Sequence, residues 1–167
     1  MGNCKIKELV RRWKSVHETD KIDDIIIGSG TVLCGIHLDK ELTGDLHNTF
    51  KGMYTKKDNQ KYIYYNNDMD MNEQKVVLCH EFAHANLHSD LNVHFLDNRS
   101  LFNVGKYERQ ANSLCAEYFI SDSFIEEYKY WSENSVAGYL GVPVELIKLK
   151  LANYDMSKLT GYDDIIP

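Results

Sequence analysis

At 167 residues, with 43% hydrophobic and 26% charged residues, the chain suits one globular domain, or one with a small appendage, around a real core. Its longest purely aliphatic run, Ile25-Ile26-Ile27, falls far short of the ~20 residues that cross a bilayer. No basic stretch followed by an apolar segment suggests a secretory leader. The net charge of −6 argues against general affinity for nucleic acid and is compatible with a basic protein partner.

Residues 4–18 alternate apolar and charged positions with a helical period, setting Ile6, Leu9, Val10, Trp13 and Val16 on one face. The start, Met1-Gly2-Asn3-Cys4-Lys5-Ile6, has the glycine of a myristoylation signal but Ile6 where Ser or Thr is required. Residues 31–38 and 61–66 are rich in β-branched and aromatic types and read as strands. A third strand around Phe50 to Thr55 is expected to pair with the latter through the turn cluster Lys56-Lys57-Asp58-Asn59. Asp70 and Glu73 have capping-box spacing and open a helix over 72–88. A second strong helix covers about 105–120, and the polar connection 89–104 is too long for a simple turn. Residues 121–154 read as two or three short helices, broken at Gly141-Val142-Pro143, with Pro143 suited to the first position of a new helix.

The expected fold is α+β: a small antiparallel sheet packed on a two-helix core, with a helical C-terminal part. Residues 1–120 would form the core unit and 121–167 the part packed on it. The four cysteines (Cys4, Cys34, Cys79, Cys115) are scattered, so disulfides are not expected and a cytoplasmic location is. Cys79 and Cys115 fall in apolar helical patterns, where a free thiol behaves as a small hydrophobe.

His80-Glu81-Phe82-Ala83-His84 lies within the first strong helix. Residues four apart project from one face, so both imidazoles can share one tetrahedral zinc ion. Glu81 is turned roughly 100° around the axis, out of ligand range but within reach of water the ion activates, where a general base is needed. A catalytic zinc wants a third protein ligand and an open position. Glu108, opening the second helix in Tyr107-Glu108-Arg109-Gln110-Ala111-Asn112, can complete a His₂Glu site. Asn112, one turn on, can accept a hydrogen bond from the outer nitrogen of a ligating histidine, and Ala111 gives room for close helix approach. His88 is ~12 Å along the axis from His80, too far to share the ion. A histidine ten residues after His80, beyond a glycine, would mark a different ligand set, but those positions hold Asp90 and Leu87. For a donor to the oxyanion, Tyr65, His88, His94, Tyr107 and Arg109 all stay open.

The span from about 22 to 152 resembles the ImmA/IrrE family of metallopeptidases. The resemblance rests on Gly52-Met53-Tyr54, Tyr62-Ile63-Tyr64-Tyr65-Asn66, His80 through His88, and Glu108 through Glu117. In the last string, Leu114 and Cys115 stand where the family pattern has Phe and Ala. The resemblance implies one catalytic zinc ion and a protein substrate, a helix-turn-helix repressor of a prophage or mobile element encoded nearby. Two other readings are set against it. One is an anti-repressor that captures the repressor without cutting. The other is a DNA-binding regulator using Ser135–Leu151, which spells helix, glycine turn, helix. That segment offers Lys148 and Lys150 but no Arg, Asn or Gln to read bases, so direct nucleic-acid binding is not expected.

Overall fold

A computed structural model of the chain describes residues 3–45, 49–88 and 105–154. Helix α1 (Asn3–His17) turns Ile6, Val10 and Trp13 into the core, as its period requires, with Leu9 at the edge. Val16, expected on the same face, is 64% exposed, because the last turn of α1 runs past the packed surface. A short helix not foreseen from the sequence, α2 (Ile22–Gly28), follows and buries Ile22, Ile25 and Ile26.

Three strands come next: β1 (Val32–Ile36), β2 (Gly52–Lys57) and β3 (Gln60–Asn66), with a four-residue helix α3 (Lys40–Thr43) between the first two. The sheet order is β1-β3-β2. The β2–β3 hairpin is antiparallel, and its tip is the two-residue turn Asp58-Asn59, whose φ values of 50° and 64° are the left-handed pair a tight hairpin needs. β1 lies parallel to β3, so the sheet is mixed: β2 takes the far edge instead of the place beside β1, and β3 pairs with both.

Helix α4 (Met71–Leu87) is capped as its sequence requires: the Asp70 carboxylate accepts from Asn72 N at 2.8 Å and Glu73 N at 3.0 Å. Helix α5 (Lys106–Phe119) packs along it. Then come α6 (Asp122–Glu127), α7 (Glu133–Leu140) and α8 (Val144–Asn153). Pro143 sits at the cap before α8 rather than inside it. Gly141 ends α7 at φ 61°, and a Cβ there would lie 2.6 Å from the Asn72 side chain, so conformation and space both call for glycine.

One hydrophobic cluster runs through the described residues, from Trp13 and Ile26 through Phe82 and Leu114 to Ile147. Trp13 of α1 lies 4.5 Å, ring centre to ring centre, from Phe82 of α4. Helix α8 packs on α5, and its Lys150, 3% exposed, reaches Glu117 Oε2 at 2.7 Å and Asp122 Oδ1 at 2.6 Å. Of the two lysines that a DNA-reading helix would offer to phosphate, Lys150 is thus engaged inside the protein and Lys148 is exposed. Cys79 and Cys115 are buried free thiols. No helix among the described residues is long and apolar enough to cross a membrane.

Candidate metal centre

Helix α4 is buried on most of its circumference, from Val76 through Ala85, and His80 and His84 lie inside that stretch at 5% and 4% exposure. Burying two imidazoles without partners is costly, so their contacts decide what the site is for. Both turn toward α5, where Ala83 and Ala111, each fully buried, let the helices come close. Glu108 stands in the first turn of α5, where the N-terminal end of the helix dipole favours a carboxylate.

The three side chains converge. His80 Nε2 lies 3.1 Å from Glu108 Oε2, His84 Nε2 lies 3.2 Å from Glu108 Oε1, and the two Nε2 atoms are 3.1 Å apart. A tetrahedral ion with bonds of ~2.0–2.1 Å sets its donors about 3.3 Å from each other, close to every one of these separations. His80, His84 and Glu108 are the group among the described residues whose donor atoms could hold a metal ion, all within 4.8 Å of one another.

Chemistry supports the same fit. Asn112 Oδ1 lies 3.0 Å from His80 Nδ1; a carbonyl oxygen only accepts, so Nδ1 carries a proton and Nε2 is the nitrogen that faces the cluster. Two imidazole nitrogens and a carboxylate aimed at one point call for a positive charge between them. Burial disfavours a charged His80, yet hydrogen bonds with Cys115 and Glu108 and the charge of Glu81 raise its pKa well above the ordinary value. Burial works to raise the Glu108 carboxyl, but hydrogen bonds from His80 and His84 outweigh it and hold its pKa down to about 2. Cys115 stays outside the converging group, its thiol pushed up by burial.

Glu81 points elsewhere. Its Oε2 accepts the backbone N–H of Tyr54 on β2 at 2.8 Å, which anchors the carboxylate between helix and sheet edge.

The family model described as the IrrE N-terminal-like domain, a peptidase family, matches residues 37–152. The chain belongs to the IrrE N-terminal-like peptidase family. It is 35% identical over 120 residues to the uncharacterized immunity region protein 2 of Bacillus phage phi105, covering 71% of this chain and 73% of that one. It is 26% identical over 151 residues to the metallopeptidase ImmA of Bacillus subtilis, covering 88% and 84%. No solved structure matches it significantly. The IrrE-like match makes the chain a metallopeptidase by family, and the buried His-His-Glu group is one that could hold a metal ion. It begins after β1, so α1, which packs on α5, and α2, which packs on α4, lie outside the matched region.

Within this IrrE-like domain, the open candidates for an oxyanion donor are dispersed. His88 is buried, its ring 4.6 Å edge-to-face from Tyr107 and 5.7 Å from His84, and its Nε2 has no partner among the described residues. Tyr107 is 41% exposed beside it, and Arg109 is exposed. Tyr65 leans over β1, its hydroxyl 3.1 Å from where a Cβ on Gly35 would be. His94 lies outside the described residues.

Two site features escaped the sequence reading. The Tyr54 amide is a backbone group and leaves no residue-type mark. Gly52 does leave one, since a glycine inside a strand often marks close backbone approach. A Cβ on Gly52 would lie 2.5 Å from Val77 Cγ1 and 3.3 Å from Glu81 Cγ. Gly52→Val is therefore expected to push β2 off α4, costing about 1–3 kcal/mol in a denaturant melt and lowering peptidase turnover while metal content holds.

Proposed function

We propose that this chain is a cytoplasmic zinc endopeptidase that cuts a DNA-binding repressor of a prophage or mobile element. His80, His84 and Glu108 are its ligands, Glu81 is its base, and Asn112 positions His80. One observation carries this reading: three donors from two buried helices converge within 4.8 Å. Zinc suits the mixed nitrogen and oxygen set and its tetrahedral spacing. Bound there, the ion acts as a Lewis acid on the scissile carbonyl and lowers the pKa of water toward ~7.

The chain's own residues do the rest. Asn112 fixes the tautomer and orientation of His80 by accepting from Nδ1. The Tyr54 amide holds Glu81 Oε2, so the other oxygen, Oε1, takes the proton from the attacking water and returns it to the leaving amine. The edge strand β2 sits directly over that carboxylate, so a substrate backbone laid along it meets the base. The helices after residue 120 brace α5 through Lys150 and the shared core; on this reading they are not a DNA-reading element.

The repressor as substrate is supported by kinship: one relative is named as an immunity region protein of a phage, the other as a metallopeptidase. The test mixes the purified chain with the repressor encoded beside its gene, with and without a chelator. One discrete fragment, absent with chelator and restored by zinc, is expected. An intact repressor under both conditions, with derepression by Glu81→Gln equal to wild type, would mean capture without cutting.

A further inference from the structure

Away from the metal centre, α6, α7 and the link between them carry a cluster of aromatic rings whose inner members, Phe124 and Tyr128, pack against the core and whose outer members, Trp131 and Tyr139, face outward. Phe124 and Tyr128 stack at 4.3 Å, Tyr128 meets Trp131 at 4.9 Å, and Tyr139 lies 5.7 Å from Trp131 and 5.8 Å from Tyr128. Trp131 and Tyr139 remain 46% and 61% exposed. Exposed tryptophan and tyrosine held in place by neighbours are typical anchors of protein interfaces.

The surrounding charge indicates which partner fits. Glu127 precedes Tyr128, and Glu133 opens the helix that carries Tyr139; both glutamates are exposed. Partial burial and then Glu127 and Tyr139 raise the Tyr128 phenol above its ordinary pKa, consistent with a carboxylate close to the ring. Ring faces bordered by carboxylates attract cations and repel phosphate. The protein already uses such contacts internally: Lys14 Nζ sits 4.7 Å over Tyr118, and Lys129 Nζ sits 5.1 Å over Tyr130.

We propose that Phe124, Tyr128, Trp131 and Tyr139, with Glu127 and Glu133, form a docking site for an arginine-rich segment of the protein substrate. This rests on the reading that the substrate binds DNA, since such a protein carries a basic face. The site is separate from the chemistry. It adjoins the far end of α5, and the eleven-residue step from Glu108 to Phe119 spans ~16 Å of helix. It therefore raises affinity for the whole substrate and leaves the cutting of a short neutral peptide unchanged.

The chain has two tryptophans, and Trp13 is buried at 6%, so the emission of Trp131 reports on this surface. The probes are a short arginine-rich peptide and its twin with glutamine in place of each arginine. The arginine peptide is expected to shift the emission saturably and the twin to leave it unchanged. Tyr139→Ala should weaken binding roughly tenfold, and Glu127→Gln with Glu133→Gln should weaken it and flatten its salt dependence. Glu81→Gln should bind as wild type, which separates docking from catalysis. Equal binding of the twin would make this an apolar site. Unchanged binding by both the Tyr139 and the double glutamate variants would reduce it to diffuse acidic charge. Self-association abolished by Tyr139→Ala would make the occupant a second copy. Each of these overturns the proposal. If the repressor is cut and Tyr139→Ala leaves its kcat/KM unchanged, docking falls and the peptidase reading stands; if the peptide binds but no repressor is cut, the reverse holds.

Discussion

Glu81→Gln is expected to lower peptidase turnover by about 10³-fold while leaving the bound metal in place. The side chain keeps its shape, and an amide oxygen can still accept from Tyr54 N, so the anchor on β2 survives. His80, His84 and Glu108 contact one another and not Glu81 through their donor atoms, so the cation site is untouched. What is lost is a group able to take and return a proton. Metal content by elemental analysis, read beside cleavage of one substrate, separates the two properties. Residual turnover near the wild-type level would remove Glu81 from the role of base. Loss of metal together with turnover would show that the carboxylate supports the ligands instead.

The second large effect is on stability. Lys150→Ala should cost about 3 kcal/mol, at the low end for breaking a buried ion pair. The lysine is 3% exposed, and its removal leaves Glu117 and Asp122 facing each other at the junction of α5, α6 and α8. The low end applies because Asp122 is 30% exposed and keeps Lys7 Nζ at 2.6 Å. The effect should depend on pH. Burial raises the Asp122 carboxyl, but Lys150 and Lys7 outweigh it and hold the pKa near about 2. A depressed carboxylate stabilises the fold above its unfolded pKa, near 3.8, and loses that contribution as pH falls through the folded value. Wild type and Lys150→Ala should therefore differ most above pH ~4 and converge as pH falls toward ~2. Urea melts at several pH values check this; a difference that grows with acid would contradict it.

The candidate site was legible in the sequence because its chemistry is local. A four-residue step on one helix fixes two imidazoles, and another on the next helix fixes Glu108 and Asn112, so only the pairing of the helices had to be inferred. Paired elements far apart in the chain were less legible. The parallel register of β1 on β3 depends on a crossover that strand composition does not encode. Helix α2 was missed because it has only seven residues, and the run Ile25-Ile26-Ile27 does not distinguish a short buried helix from a strand. Val16 fits the period of α1 perfectly well and is still exposed, since periodicity names a face but not how far the neighbouring surface extends. The seat of Glu81 on Tyr54 could be read only from coordinates, because the donor is main chain.

Zinc titration of the metal-stripped protein is the most direct test of a cation held between α4 and α5. Wild type should bind one ion per chain and unfold at a higher temperature in its presence, and Glu108→Ala should lose both effects while keeping its helical spectrum. Equal binding by wild type and Glu108→Ala, or none by wild type, would mean that His80, His84 and Glu108 meet for some other purpose.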